Sequence, residues 1–248
     1  MARLVTAGGL LALGLLAALF DPARGSAGAC SPGDPPVARL MAIPATIASD
    51  GGLLVRAVAQ LGGVADASFH VGPNGRLVLR SGHFRVAGRE VPARLEPLGS
   101  GLARVVPTEP LDGPATWVGA SGPVSLRFEA RAAALTSAPA LSQASLRIRR
   151  TRANGEDTDV TYRLGVVLRR DAPAEARALL IYEGDAQQAV AHTELSAPSG
   201  RRIEVASGGS CEMFGWPFGW PAPRSQVRAA YVDDSGRLSP LSRPQRLR

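Results

Sequence analysis

The feature that most constrains this chain is an alternation of apolar and polar residues with a period of two. It is unbroken over 124–131, recurs over 160–168, and appears in shorter runs at 146–149 and 227–231. Successive side chains of a β-strand point to opposite faces, so this pattern is typical of strands that bury one face and expose the other. We therefore expect an all-β protein built of half-buried antiparallel strands.

Turn signals separate these runs. Glycine stands beside proline, asparagine, serine or a second glycine at 62–63, 73–75, 99–101, 154–155, 199–200 and 235–236. Short strands with such punctuation between them are the pattern of a β-sandwich. The single helix-like segment, 172–180, contains Pro173 near its start and reads equally well as a loop leading into a strand.

The first thirty residues predict an export signal. Arg3 precedes an apolar run over 10–20 that is too short to span a bilayer as a helix, and the small residues Ala27-Gly28-Ala29 follow it. We expect cleavage after Ala29 and a location in the periplasm, at the cell surface or outside the cell. Since no second long apolar run follows, no transmembrane segment is expected.

Cys30 and Cys211 are the only cysteines. In an oxidising compartment a Cys30–Cys211 disulfide is the default expectation, and pairing between two chains is an alternative. Cys30 would also be the first mature residue, the position that is acylated in bacterial lipoproteins, although Ala27 stands where such signals normally have leucine. Membrane association is expected only if Cys30 is lipidated.

The net charge is +7, and all 28 basic residues are arginine. This composition, with abundant Ala, Gly and Pro, indicates the codon bias of a GC-rich genome. A nucleic-acid site needs basic residues clustered on one face, whereas these arginines are spread along the chain and mostly occupy outward strand positions. We expect a solvated sheet face and no nucleic-acid partner. Attraction to anionic glycans or lipopolysaccharide rests on charge alone.

Domain organisation follows from a composition shift near 132–144, where Ala, Ser, Thr and Pro replace charged residues. Such a composition is typical of a linker. We predict a signal peptide at 1–29, a first sandwich at 36–132, a linker at 133–141 and a second sandwich at 142–248.

Several segments carry a family resemblance. The strand at 227–231, the turn and Ser-Pro-x-Ser segment at 233–242, and the strand at 180–184 resemble parts of fibronectin type III and immunoglobulin-like sandwiches of bacterial exported proteins. The first half is similar to bacterial immunoglobulin-like domains over 103–111 and at Trp117. The resemblance implies two tandem antiparallel β-sandwiches with a binding or scaffolding role, since such modules share no active site.

The most unusual segment is 211–221, which contains Phe-Gly-Trp-Pro twice in tandem. Glycine and proline exclude a regular helix or central strand, so this is a loop that carries large aromatic side chains. One hypothesis is a ligand- or partner-binding loop, because exposed aromatic faces commonly hold sugars and peptides. The alternative is a cap folded over the sandwich edge. The side chains concerned are Phe214, Trp216, Phe218 and Trp220.

Carboxylates concentrate at 154–159, where Glu156, Asp157 and Asp159 form a weak calcium candidate. The segment lacks the spacing of a calcium loop with a distal bidentate glutamate, and a solvated hairpin tip is the favoured alternative.

Catalytic motifs are not found in the sequence. His70, His83 and His192 are the only histidines, and no two have the i, i+4 spacing of metal ligands. Ser210 with His192 upstream is a candidate nucleophile and base, but a protein of this size offers many such pairs. We expect no enzyme activity, cofactor or metal. The predicted function is an exported binding or structural module of the bacterial cell envelope that recognises a carbohydrate or protein through the aromatic loop. Alternatives are a structural spacer, a lipid-anchored protein and, less favoured, an envelope hydrolase.

Overall fold

The computed structural model describes residues 36–248 with short gaps. Not described are 1–35, 42, 45, 59–65, 73–75, 100, 131–134, 154–155, 197–199, 210–220 and 222–223, and only the backbone is described for 149–153, 156–162 and 207–209. The described residues all belong to one compact unit, Pro32–Arg248. They form strands and turns in several sheets, which confirms the all-β prediction. This part of the chain has no helix that is long and apolar enough to cross a membrane.

The described residues of the first half of this unit form ten strands. In chain order they are β1 (Val37–Leu40), β2 (Thr46–Ala48), β3 (Leu53–Val58), β4 (Phe69–Val71), β5 (Leu77–Leu79), β6 (His83–Val86), β7 (Arg89–Gly99), β8 (Leu102–Pro107), β9 (Gly113–Gly119) and β10 (Gly122–Glu129). Eight of them form one sheet in the order β1-β3-β8-β7-β6-β9-β10-β2, and β4 pairs with β5. Neighbours run antiparallel except β2, which is parallel to β10.

Both ends of the eight-stranded sheet face one hydrophobic core. Val55 on β3 is fully buried together with Phe84, Trp117 and Phe128 on β6, β9 and β10. The Trp117 ring lies 5.2 Å from Phe84 and 6.2 Å from Phe69, distances at which aromatic rings attract. The first residues of β7 pair with β6 and its later residues with β8. The sheet therefore folds back onto itself at β7.

The described residues of the second half form two sheets. Its strands are β11 (Leu141–Ala153), β12 (Glu156–Leu168), β13 (Ala176–Glu183), β14 (Ala191–Glu194), β15 (Arg202–Gly209), β16 (Gln226–Asp233) and β17 (Gln245–Arg246). The sheets have the orders β11-β12-β15 and β14-β13-β16-β17. Ala153 at the end of β11 pairs with Glu156 at the start of β12, and the predicted turn at 154–155 lies outside the described residues. Since β13 begins at Ala176, residues 172–175 of the helix-like segment form a loop and 176–180 already belong to the strand.

The second core lies between these two sheets. Leu164 and Val166 on β12 meet Leu179, Ile181 and Val227 from the other sheet, and all five are buried. The alternate residues of β12, Arg163, Gly165 and Val167, lie on the outer face of the sheet, as the period of two predicts.

The segment that follows β16 completes the edge of that strand with serine side chains. Ser239 and Ser242 donate their backbone N–H groups to the carbonyls of Tyr231 and Ala229, at 2.9 and 2.8 Å. Each serine Oγ accepts the backbone N–H of the same partner at 2.9 Å. The two serine hydroxyl oxygens thus serve as acceptors for buried amides of β16, in the place where a regular strand would offer backbone carbonyls.

Candidate functional site

The two cysteines and the four aromatic residues that the sequence singles out lie outside the described part of the chain. They are Cys30, Cys211, Phe214, Trp216, Phe218 and Trp220. The disulfide and the aromatic binding loop therefore stay predictions.

The calcium candidates lie at the start of β12, where the backbone alone is described. Asp157 pairs with Arg152 and Asp159 with Thr151, on either side of an irregularity in the ladder. Among the residues whose side chains are described, no group of three or more His, Cys, Asp or Glu is placed to hold a metal ion.

The three histidines lie on three different sheets. His70 is exposed on β4, and His192 on β14 is opposite Leu180 of β13. His83 on β6 has its Nε2 atom 3.2 Å from Oε1 of Glu90. Ser210 falls outside the described residues. The fold thus brings no two histidines onto one sheet.

An apolar seam joins the two halves, and sequence reasoning missed it. We define the seam by ten buried residues: Met41, Leu54, Leu98, Leu102, Ala178, Leu180, Tyr182, Ala189, Ala230 and Val232. On β13, Leu179 and Ile181 face the second core while Leu180 lies in the seam, so both faces of the strand are buried. An unbroken apolar run such as 178–182 is the sequence signal of two-sided burial.

A polar loop locks the two halves together beside the seam. This loop, 233–237, is called the plug. Ser235 is fully buried, its Oγ accepts the N–H of Ala48 at 2.9 Å, and its carbonyl accepts the N–H of Gly52 at 2.8 Å. A Cβ at Gly51 would lie 2.6 Å from the Cβ of Ser235. The close approach of the plug therefore depends on glycine at 51.

Asp233 holds the plug in shape. Its Oδ1 accepts the backbone N–H groups of Ser235 and Arg237, and its Oδ2 accepts from Arg237 Nε, all at 2.9 Å. Asp233 and Arg237 are only 4 % and 9 % exposed. The Nη1 atom of Arg237 also lies 3.5 Å from Oδ1 of Asp50 in the first half. The plug is thus a preorganised, charge-paired loop that reaches across the interface.

Arg104 on β8 supports the plug from the first half. Its Nε donates to Oε2 of Glu96 at 2.7 Å, and its Nη1 donates to the carbonyl of Gly236 at 3.4 Å. Glu96 also pairs with Arg94 at 2.7 Å. The carboxylate therefore orients the guanidinium that contacts the plug.

A cleft of about 540 Å³ opens between the halves and shares Met41 and Leu54 with the seam. Nη1 of Arg56 lies 3.1 Å from Oε1 of Glu194 at this cleft, which links β3 to β14. Arg177 contributes a second cation to the wall. The volume falls within the range of small-molecule pockets, and the lining combines apolar side chains with charged ones.

The outer surface of β11, β12 and β15 forms a groove of about 400 Å³, which we call the arginine face. Its outward residues are Gln143, Ser145, Arg147, Arg163, Gly165, Val167, Arg202 and Glu204. Arg147 is directly opposite Arg163 in the ladder. The sequence predicted solvated arginines at outward strand positions, but it did not predict that they border a groove.

Two tyrosines are affected by the packing of the second half. Burial raises the pKa of Tyr182, which lies in the seam, and of Tyr231, which lies in the second core, above the ordinary value of 10.0. Desolvation is the cause in both, since a phenolate loses its hydration when it is removed from water.

No protein-family model matches the chain, and no curated protein matches it in sequence.

Proposed function

We propose that this chain is an exported, non-catalytic protein of the bacterial cell envelope, in which an immunoglobulin-like and a fibronectin type III-like sandwich act as one rigid binding or structural body. The observation that carries the proposal is the buried seam with its plug. Apolar burial and hydrogen bonds across the interface fix the two halves against each other, whereas modules joined only by a linker would move independently.

The strand order supports the family part of the proposal. If β1, β3, β6, β7, β8, β9 and β10 are lettered A to G, the first half has the orders A-B-E-D and C-F-G of an immunoglobulin fold. In the second half, the letters A, B, C, E, F and G correspond to β11, β12, β13, β15, β16 and β17. The two sheets then have the orders A-B-E and C-F-G, with β14 beside C. Two of the three clusters of buried residues support separate sandwiches, since one extends to Phe128 and another begins at Leu141, and the third is the seam between them.

The aromatic segment supplies the proposed ligand contact. It lies in the chain between the end of β15 and the start of β16, in the second sandwich. A rigid scaffold that carries an aromatic loop is a common arrangement for recognition of sugars and peptides. Its targets would be an envelope carbohydrate or protein.

Export is tested by cell fractionation and by the intact mass of the purified protein, with and without reduction. We expect a chain that starts at Cys30, and a small gain in mass on reduction if Cys30 and Cys211 are paired. A larger mass that corresponds to an acyl group would instead identify the lipid-anchored alternative. A full-length chain in the cytoplasm would contradict the proposal.

Binding is tested with the Trp216→Ala/Trp220→Ala double variant. We expect it to lose retention on envelope glycans, or on a partner captured from the envelope, with an unchanged Tm. The matched control is Val78→Ala/Leu241→Ala, which truncates two other exposed apolar side chains and should keep binding. A lower Tm with binding intact would support a capping role for the tryptophans and contradict the binding loop.

A further inference from the structure

The arginine face carries a like-charge pair that the fold does not need. Arg147 and Arg163 are exposed and occupy facing positions on β11 and β12. Like charges at facing positions destabilise an antiparallel pair. Within the described part of the chain, neither these two arginines nor Arg202 has a carboxylate in ion-pair contact. Among the residues that line the groove, three arginines therefore face a single carboxylate, that of Glu204, and the lining carries net positive charge.

Gly165 keeps a depression open in the middle of this face. It pairs with Ser145 on β11 and Glu204 on β15, next to an irregularity in the ladder. Its φ lies outside the positive range, and a Cβ there would meet only ordinary contacts, with the Ile203 carbonyl at 3.6 Å and Ser145 Oγ at 3.8 Å. Glycine weakens the interior of a strand. Neither backbone geometry nor packing requires glycine here. The effect of glycine at this position is that no side chain fills the groove.

The groove has cations at its ends and hydrogen-bonding groups between them. Arg202 is opposite Val167, four residues beyond Arg163 on β12. At a rise of 3.3 Å per residue this separation is about 13 Å along the strand. The polar side chains in the intervening stretch are Gln143, Ser145 and Glu204.

This distribution fits a polymer that carries anions at intervals and hydroxyl groups between them. Duplex DNA presents a charge about every 1.7 Å, and single strands need aromatic stacking platforms that the outward residues of this groove do not supply. The Glu204 carboxylate would repel closely spaced phosphates, but it accepts hydrogen bonds from sugar hydroxyls.

We propose that the arginine face binds an acidic polysaccharide. Arg147, Arg163 and Arg202 hold its carboxylates, and the groove at Gly165 admits the sugar ring next to the polar side chains. Charge-assisted hydrogen bonds of guanidinium to carboxylate are the strong contacts in such a complex. Export, as proposed above, gives this face access to such polymers, but the binding chemistry itself does not depend on export.

The test uses the purified mature chain, with polygalacturonate as the probe and neutral dextran as the reference, at about 0.15 M salt. We expect binding to polygalacturonate and not to dextran. Arg147→Gln/Arg163→Gln should weaken binding about tenfold or more, since two charge-assisted hydrogen bonds are lost. Arg80→Gln/Arg127→Gln is the matched control, because it removes two exposed arginines of the first half with the same change in charge. It should change binding less than about twofold.

The Gly165→Val variant separates a blocked groove from a loss of folding. Valine fills the depression and favours a strand, so binding should fall about tenfold while Tm stays the same or rises. Equal binding to polygalacturonate and dextran would overturn the proposal, as would tighter binding to a single-stranded oligonucleotide. It would also be overturned if the two double arginine variants lost the same amount of affinity for polygalacturonate, or if Gly165→Val bound polygalacturonate as tightly as the wild type. A cytoplasmic chain that still binds polygalacturonate would contradict the proposed export alone.

Discussion

At the scale of single residues, the buried Asp233–Arg237 pair decides whether the plug keeps its shape. Removing one member of a buried, hydrogen-bonded pair leaves the other charge uncompensated. We expect Asp233→Ala to lower the free energy of unfolding by about 3 kcal/mol, measured by urea denaturation. Asp185→Ala is the control, since Asp185 is fully exposed and also pairs with an arginine, Arg228, at 3.2 Å. It should have no measurable effect. Equal effects of the two variants would contradict a structural role for the plug.

The buried tyrosines predict a loss of stability in alkali. In the native state Tyr182 and Tyr231 have a pKa above 10.0, the ordinary value that they regain on unfolding. Above about pH 10 the unfolded chain therefore releases protons that the native chain retains, and the free energy of unfolding falls as the pH rises. The Tyr182→Phe/Tyr231→Phe variant should show a shallower decrease in urea-unfolding measurements between about pH 9 and pH 11. An identical slope in variant and wild type would contradict this prediction.

At the scale of elements, glycine permits the close approach of β7 to the second half. Gly99 has a φ of 104°, and a Cβ there would lie 2.4 Å from the backbone nitrogen of Ala189 in the seam. Gly122 has the same φ but open space around it. We expect Gly122→Ala to cost about 1 to 2 kcal/mol from backbone strain alone. Gly99→Ala should lower the free energy of unfolding by clearly more, because β7 must also move away from Ala189 in the seam. If urea denaturation showed the same decrease in the free energy of unfolding for both variants, the close contact with Ala189 would not contribute to stability.

The strands could be predicted from sequence because alternation is a local signal. The run at 124–131 corresponds to β10, and the run at 160–168 lies within β12. The seam could not be predicted in the same way. The apolar run at 178–182 indicates burial on both faces, but it does not identify Leu54 or Leu102 as the partners.

The same limit applies to the candidate sites. The turn signal at Ser235-Gly236 predicts a turn, yet the partner of Ser235 is Ala48, 187 residues away in the chain. Outward arginines follow from the alternation on β11 and β12. The groove between them follows from strand register, which places Gly165 opposite Ser145 and Glu204. The register between strands that are distant in the chain depends on the whole fold, so it cannot be predicted from any one segment.

At the scale of the whole molecule, the seam and plug make the two halves depend on each other for stability. Leu180 on β13 is fully buried in the seam, and Met41 of the first half belongs to the same buried cluster with 8 % exposure. Exposing this apolar surface on separation costs free energy in proportion to its area. The halves should therefore unfold together, in one calorimetric transition with equal calorimetric and van't Hoff enthalpies.

A charge placed in the seam should uncouple them. Met41→Asp and Leu180→Asp each bury a carboxylate against apolar side chains, one from each half, so either should split the single transition into two. Leu241→Asp is the control, because Leu241 is 41 % exposed and the added carboxylate stays in water. The two seam variants are compared because each could unfold the half that carries the substitution. Loss of coupling between the halves should appear in both variants. Two separable transitions in the wild type would contradict the rigid body on which the proposed function rests, because the halves would then be independent modules joined by a linker.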